Sequence, residues 1–113
     1  MAIRHARPTE IISLEALGEE IASTKTYAIL KTEAMEAIRL VLPAGKQIAE
    51  HKAPGEITVQ CLEGQVRLTA RGTARTLRQN QMLYLETGEP HAVEAVEDSS
   101  VLVTIVFRKR SEQ

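Results

Sequence analysis

The sequence holds a single cysteine, Cys61, no tryptophan, one phenylalanine and two tyrosines among its 113 residues. One thiol cannot close an internal disulfide and excludes every zinc motif built on several cysteines. No apolar run approaches the roughly 18 residues that a transmembrane helix needs. The opening MAIRHARPTE carries basic residues with no apolar stretch behind them, so no secretory signal is expected and the chain is expected in the cytoplasm. Charge nearly cancels, 14 Lys and Arg against 15 Asp and Glu, for a net −1. No global field therefore draws in nucleic acid or an anionic membrane. GxSxG, HExxH, a P-loop, CxxC and a helix-opening GxGxxG are all missing, which removes the familiar hydrolase, zincin, nucleotide and redox signatures. What remains is 43% hydrophobic and 26% charged residues, ordinary for one small domain with a modest core.

Two patterns divide the chain. From Thr9 to Ala22, apolar Ile11, Ile12, Leu14, Leu17 and Ile21 predict a short amphipathic helix capped by Thr9 or Ser13, although Gly18 interrupts it. This gives residues 1–25 as an N-terminal flap covering one end of the core. After Thr24 the helical period disappears, and short alternating runs separated by Gly, Pro and Asn predict strands at Thr26–Thr32, Met35–Leu42, Glu56–Glu63, Gln65–Arg71, Ala74–Arg78, Gln81–Glu86, His91–Ala95 and Ser100–Phe107. An all-β antiparallel sandwich or barrel over residues 26–113 follows, within a single domain.

Alternation also assigns faces. In Gln65–Arg71, Val66, Leu68 and Ala70 face the core while Arg67, Thr69 and Arg71 face water. The basic stripe Arg67, Arg71, Arg75 and Arg78 reads as a solvated hairpin, because no aromatic is interleaved to stack a base. In Glu56–Glu63 the inward set is Ile57, Val59 and Cys61, which turns Glu56 outward unless a bulge at Pro54–Gly55 shifts the register. Cys61 is either a small buried apolar residue or a thiol within reach of a pocket. Tyr27 and Tyr84 could pack in the core or turn a hydroxyl into that pocket.

Histidine is the remaining chemistry. His5 lies near the start of the chain and is given no role. His51 follows the turn at Gly45, and His91 follows the turn at Gly88 and Pro90. Imidazoles this far apart in sequence meet only if the fold brings their strands together.

The spacing of these residues resembles that of the cupins, specifically the small single-domain kind with one conserved barrel, from about Leu40 to Val106. The first cupin motif is a glycine, a histidine-x-histidine pair, a glutamate and a closing glycine, and Gly45, His51 and Gly64 fall on it. The second motif is matched by Gly88 and His91. The departures are as informative: Ala53 replaces the second histidine, Ile57 stands at the glutamate position with Glu56 one residue early, and in the second motif Asn80, Glu86 and Ala95 replace the first glycine, the proline and the final asparagine. Asn80 is a mild change, since asparagine tolerates the left-handed conformation of a turn glycine.

The resemblance implies a jelly-roll barrel, an antiparallel double-stranded β-helix of the RmlC-like kind, with a short N-terminal helix. It also implies a divalent metal (iron, manganese, nickel or zinc) held in the barrel mouth, with His51 and His91 as carried-over ligands and Glu56 as the candidate third. The expected ligand pocket comprises His51, Ile57, Val59, Cys61 and His91. Two imidazoles fall short of the three protein ligands of an ordinary catalytic site. The expected function is therefore the binding of a small molecule, with or without a weakly held metal. The alternatives are a metal-dependent dioxygenase or isomerase using His51 and His91, a metal-free acid–base pair, and a unit of assembly. A homodimer is expected through Ser100–Phe107 and Thr26–Thr32, whose apolar edges would otherwise be exposed.

Overall fold

In a computed structural model describing residues 4–107, nine strands form two antiparallel sheets. They are β1 (Tyr27–Lys31), β2 (Met35–Leu42), β3 (Gln47–His51), β4 (Gly55–Glu63), β5 (Gln65–Ala70), β6 (Thr73–Arg78), β7 (Met82–Leu85), β8 (His91–Ala95) and β9 (Ser99–Phe107). The first sheet has the order β1-β2-β9-β4-β7 and the second β3-β8-β5-β6. The crossed order is that of a jelly roll, as expected. Residues 108–113 of the anticipated barrel and 1–3 of the flap lie outside the described residues.

Alternation turns the apolar positions of both sheets toward each other. Across β2, β9 and β4, Val101 pairs with Leu40 on one side and Cys61 on the other, and Val103 with Ile38 and Val59, all on the inner face. Val66 and Leu68 of β5 and Val93 and Ala95 of β8 complete the core from the second sheet. Each fully buried Leu or Val contributes about 1.5–3 kcal/mol of transfer free energy. The expected faces of β5 hold, with Val66 and Leu68 buried and Arg67 and Thr69 exposed.

Three expectations change. The predicted Thr9–Ala22 helix is only a 3-10 helix, Gly18–Ser23. Gly18 adopts φ +57° and Thr9 φ +71°, left-handed conformations that a right-handed helix cannot continue through. The Leu17 and Gly18 amides are bonded to the Glu63 carboxylate rather than within a helix. A strand not foreseen, β3, carries only Ile48 as a half-buried apolar residue, too little for an alternating pattern to reveal. Finally, β9 is central, paired on both sides by β2 and β4, so it presents no edge for a dimer; β1 does lie at an edge.

The outer face of the first sheet carries a polar cluster. Arg39, 2% exposed, donates to the Glu63 carboxylate at 3.1 Å, to the Ser100 hydroxyl at 3.1 Å and to the Glu15 carbonyl at 2.7 Å. Ser100 donates to Glu63 at 2.6 Å. Glu63 is therefore fully compensated, and the N-terminal strap is tied to the sheet through its backbone.

Candidate functional site

The barrel is plugged at one end and hollow at the other. Along β2, β4 and β9 the inner positions run from Leu42, Cys61 and Val101 at the packed end to Ile38, Ile57 and Ile105 at the open one. At the open end lies a cavity of about 270 Å³. Its walls are Ile38 and Leu40, Ile48, Ile57 and Val59, Val93, and Val103 and Ile105, with Ala53 and Pro54 at the rim. The polar side chains lining it are His51, His91 and Lys52.

His51 and His91 are brought together as expected, and a bulge does it. Ile48 pairs with Val93 and His51 with His91, so β3 has two residues, Ala49 and Glu50, where β8 has only Ala92. Regular alternation would turn Ile48 and His51 to opposite faces; the additional residue lets both face the cavity. The ring centroids are 4.3 Å apart at 57°. The Nδ1 of His51 lies 2.9 Å from the Ala49 carbonyl and that of His91 2.9 Å from the Glu89 carbonyl. A carbonyl only accepts, so each Nδ1 carries a proton, and Nε2 lies at the far edge of each ring. His91 is 4% exposed and His51 is open to solvent, so the pair spans the cavity mouth.

The other candidates separate. Ile57 and Val59 line the cavity. Cys61 does not: it lies in the packed end, 0% exposed, its thiol directed at the carbonyls of Glu63 and Gly64. Burial pushes the Cys61 thiol up, keeping it in the unreactive protonated form. Glu56 is on the outer face, because β4 runs in regular register with β9 from Gly55 to Cys61 and no bulge occurs at Pro54–Gly55. Its carboxylate accepts the Tyr84 hydroxyl proton at 2.7 Å, which raises the tyrosine above its ordinary value. Neither tyrosine lines the cavity. Asn80 adopts φ +70°, the turn conformation expected of it.

These donors do not match an ordinary metal centre. Among the described residues no group of three His, Cys, Asp or Glu side chains converges, and the two imidazoles are left without a third protein ligand. Lys52, which charge pattern alone did not single out, is the one Lys or Arg side chain at the mouth among the described residues. A second concavity of about 250 Å³, between β6 and β7, contains Arg71, but Glu86 and Glu89 already pair with that guanidinium.

The sequence pattern of the cupin domain matches residues 38–107. The chain belongs to the cupin family. A comparison with curated proteins returns no significant match. Among solved structures, this cupin is similar to a conserved protein of unknown function from Streptococcus pyogenes, with a TM-score of 0.77, 21% identity and coverage of 97% of this chain and 100% of that one. It is also similar to a cupin superfamily protein from Desulfitobacterium hafniense, with a TM-score of 0.75, 14% identity and coverage of 91% and 100%. A DMSP lyase from Ruegeria pomeroyi aligns with a TM-score of 0.68 at 20% identity, covering 77% of this chain and 48% of that one. At these identities the likeness is one of fold. Against the cupin pattern, the missing ligand positions are now placed: Ala53 lies at the cavity rim and Ile57 in its wall.

Proposed function

We propose that this cupin binds a small organic molecule in the cavity at the open end of its barrel and performs no chemistry on it. The observation that supports this reading is the lining itself: apolar side chains from both sheets enclose a volume suited to a small ligand, with a few polar groups gathered at the mouth. The two-imidazole donor set argues against a resident catalytic metal, though a ligand could complete a weak one.

The test is metal content by mass spectrometry on untagged protein purified without chelator, with His51→Ala alongside, followed by a fragment screen by thermal shift. Substoichiometric metal together with stabilisation by small organic fragments supports the binding module. Near one metal per chain, lost in His51→Ala, overturns it in favour of a metal-dependent dioxygenase or isomerase.

The cupin is further proposed to act as a homodimer in the cytoplasm. Exposed Met82, Tyr84 and Val106 on the outer face of the first sheet, and the free edge at β1, support association. No helix among the described residues is long and apolar enough to cross a membrane. Sedimentation showing only monomer at micromolar concentration would remove the dimer.

A further inference from the structure

We propose that the ligand is a compact apolar carboxylate, a short aryl- or alkyl-substituted acid, with its hydrocarbon body in the barrel and its acid group at the mouth beside Lys52. This deepens the small-molecule reading above and rests on it. Three features of the cavity carry it: its volume, the chemistry of its wall, and the sign of charge at its rim.

The volume sets the size. An apolar protein cavity of about 150 Å³ accommodates benzene, or about 25 Å³ for each non-hydrogen atom. The present cavity, about 270 Å³, then accommodates a ligand of about eleven such atoms. A disaccharide or a nucleotide is too large.

The wall excludes polar bodies. Ile38, Ile57, Val59, Val93, Val103 and Ile105 offer no hydrogen-bonding side chain. Their strands' backbone groups are committed to the sheet ladders. A sugar or other polyol would bury several hydroxyls without partners, each costing about 1–3 kcal/mol, whereas a phenyl ring or alkyl chain loses nothing there. All polar recognition is thus confined to one end of the ligand.

The rim sets the charge. Among the described residues its polar side chains are nitrogenous: Lys52, His51 and His91. No Asp or Glu among the described residues lines the cavity. Of the acids nearest in sequence to these groups, Glu89 pairs with Arg71 and Glu50 is exposed outside the cavity. Among the described residues Lys52 has no ion-pair partner. A cationic head would meet this ammonium with nothing to offset it. A carboxylate supplies the missing counter-charge through a charge-assisted hydrogen bond from the Lys52 ammonium.

The experiment is isothermal titration of chelator-treated protein with 3-phenylpropanoate and octanoate, and with the matching neutral amides, on the native chain and on Lys52→Gln. Lys52 is exposed, so the variant should fold, which circular dichroism checks. Either acid binding about tenfold or more tightly than its amide, with the gap reduced to about twofold in Lys52→Gln, supports the proposal. Equal binding of acid and amide overturns the acid inference but leaves the cavity reading standing. Binding of none of the four compounds at millimolar concentration overturns both. A preference for acid that survives in Lys52→Gln overturns the role given to Lys52.

Discussion

His51 lies across from His91, with ring centroids 4.3 Å apart, because β3 carries one residue more than β8 between their shared pairs. The two rings are nonetheless unequal in burial, and substitution should distinguish them. His91→Ala removes a side chain that is 4% exposed and bonded to the Glu89 carbonyl, so it should cost about 1–3 kcal/mol. His51→Ala, at a solvent-exposed position, should stay within about 0.5 kcal/mol. Urea unfolding of both variants measures the difference, and equal losses would contradict the placement of the rings.

Acid should loosen the N-terminal strap before it unfolds the barrel. Burial by itself would raise the Glu63 carboxyl. Hydrogen bonds from the Leu17 amide, the Ser100 hydroxyl and the Gly18 amide, with the Arg39 charge, outweigh that and hold it below the ordinary carboxylate value. A depressed folded-state pKa stabilises the fold at pH values above the unfolded value, and that contribution is lost as pH falls through the folded one. Hydrogen exchange at decreasing pH should therefore show residues 4–23 losing protection first. Glu63→Gln should flatten this acid dependence. Arg39→Met, which leaves the carboxylate buried without its cation, should cost about 3–5 kcal/mol at neutral pH.

The parts of this fold that were legible from the sequence are those where one side chain in two is apolar. The faces of β4 and β5 followed from Ile57-x-Val59-x-Cys61 and Val66-x-Leu68, and their glycine-bounded ends followed from turn chemistry. The spacing of His51 and His91 was legible only through the cupin resemblance, since nothing local to either residue says that their strands are neighbours. What escaped was what alternation does not encode. The β3 bulge breaks the period at the site itself. The strap's conformation depends on a partner, Glu63, lying 45 residues beyond Gly18. Arg39 between Ile38 and Leu40 was the one local sign of its buried ion pair with Glu63, whose own strand alternates apolar with polar residues. Cys61 had the right parity for the cavity but the wrong height along the barrel, a coordinate that parity does not contain.

That height makes Cys61 a reporter of global unfolding. Its thiol is 0% exposed, sits in the packed end and is pushed up by burial. Iodoacetamide at neutral pH should modify the native protein at a rate limited by opening, at least about a hundredfold slower than in urea. A ligand that binds the cavity should slow the reaction further, because binding stabilises the folded state against opening. Rapid native alkylation would place the thiol at the surface or in the cavity.

Ala53 stands at the cavity rim, where the cupin pattern has a histidine, so Ala53→His tests whether the imidazole pair forms an incomplete metal site. Both existing rings have their Nδ1 atoms tied to backbone carbonyls, an arrangement that orients Nε2 for coordination. Three imidazoles with open positions left for water satisfy the minimum that a divalent ion generally requires of a protein. Titration with Zn²⁺ or Mn²⁺ should show affinity rising by about tenfold or more over the native chain, and His91→Ala in the same background should reverse the gain. An unchanged affinity in a folded variant would mean that the side chain at 53 does not reach the two Nε2 atoms.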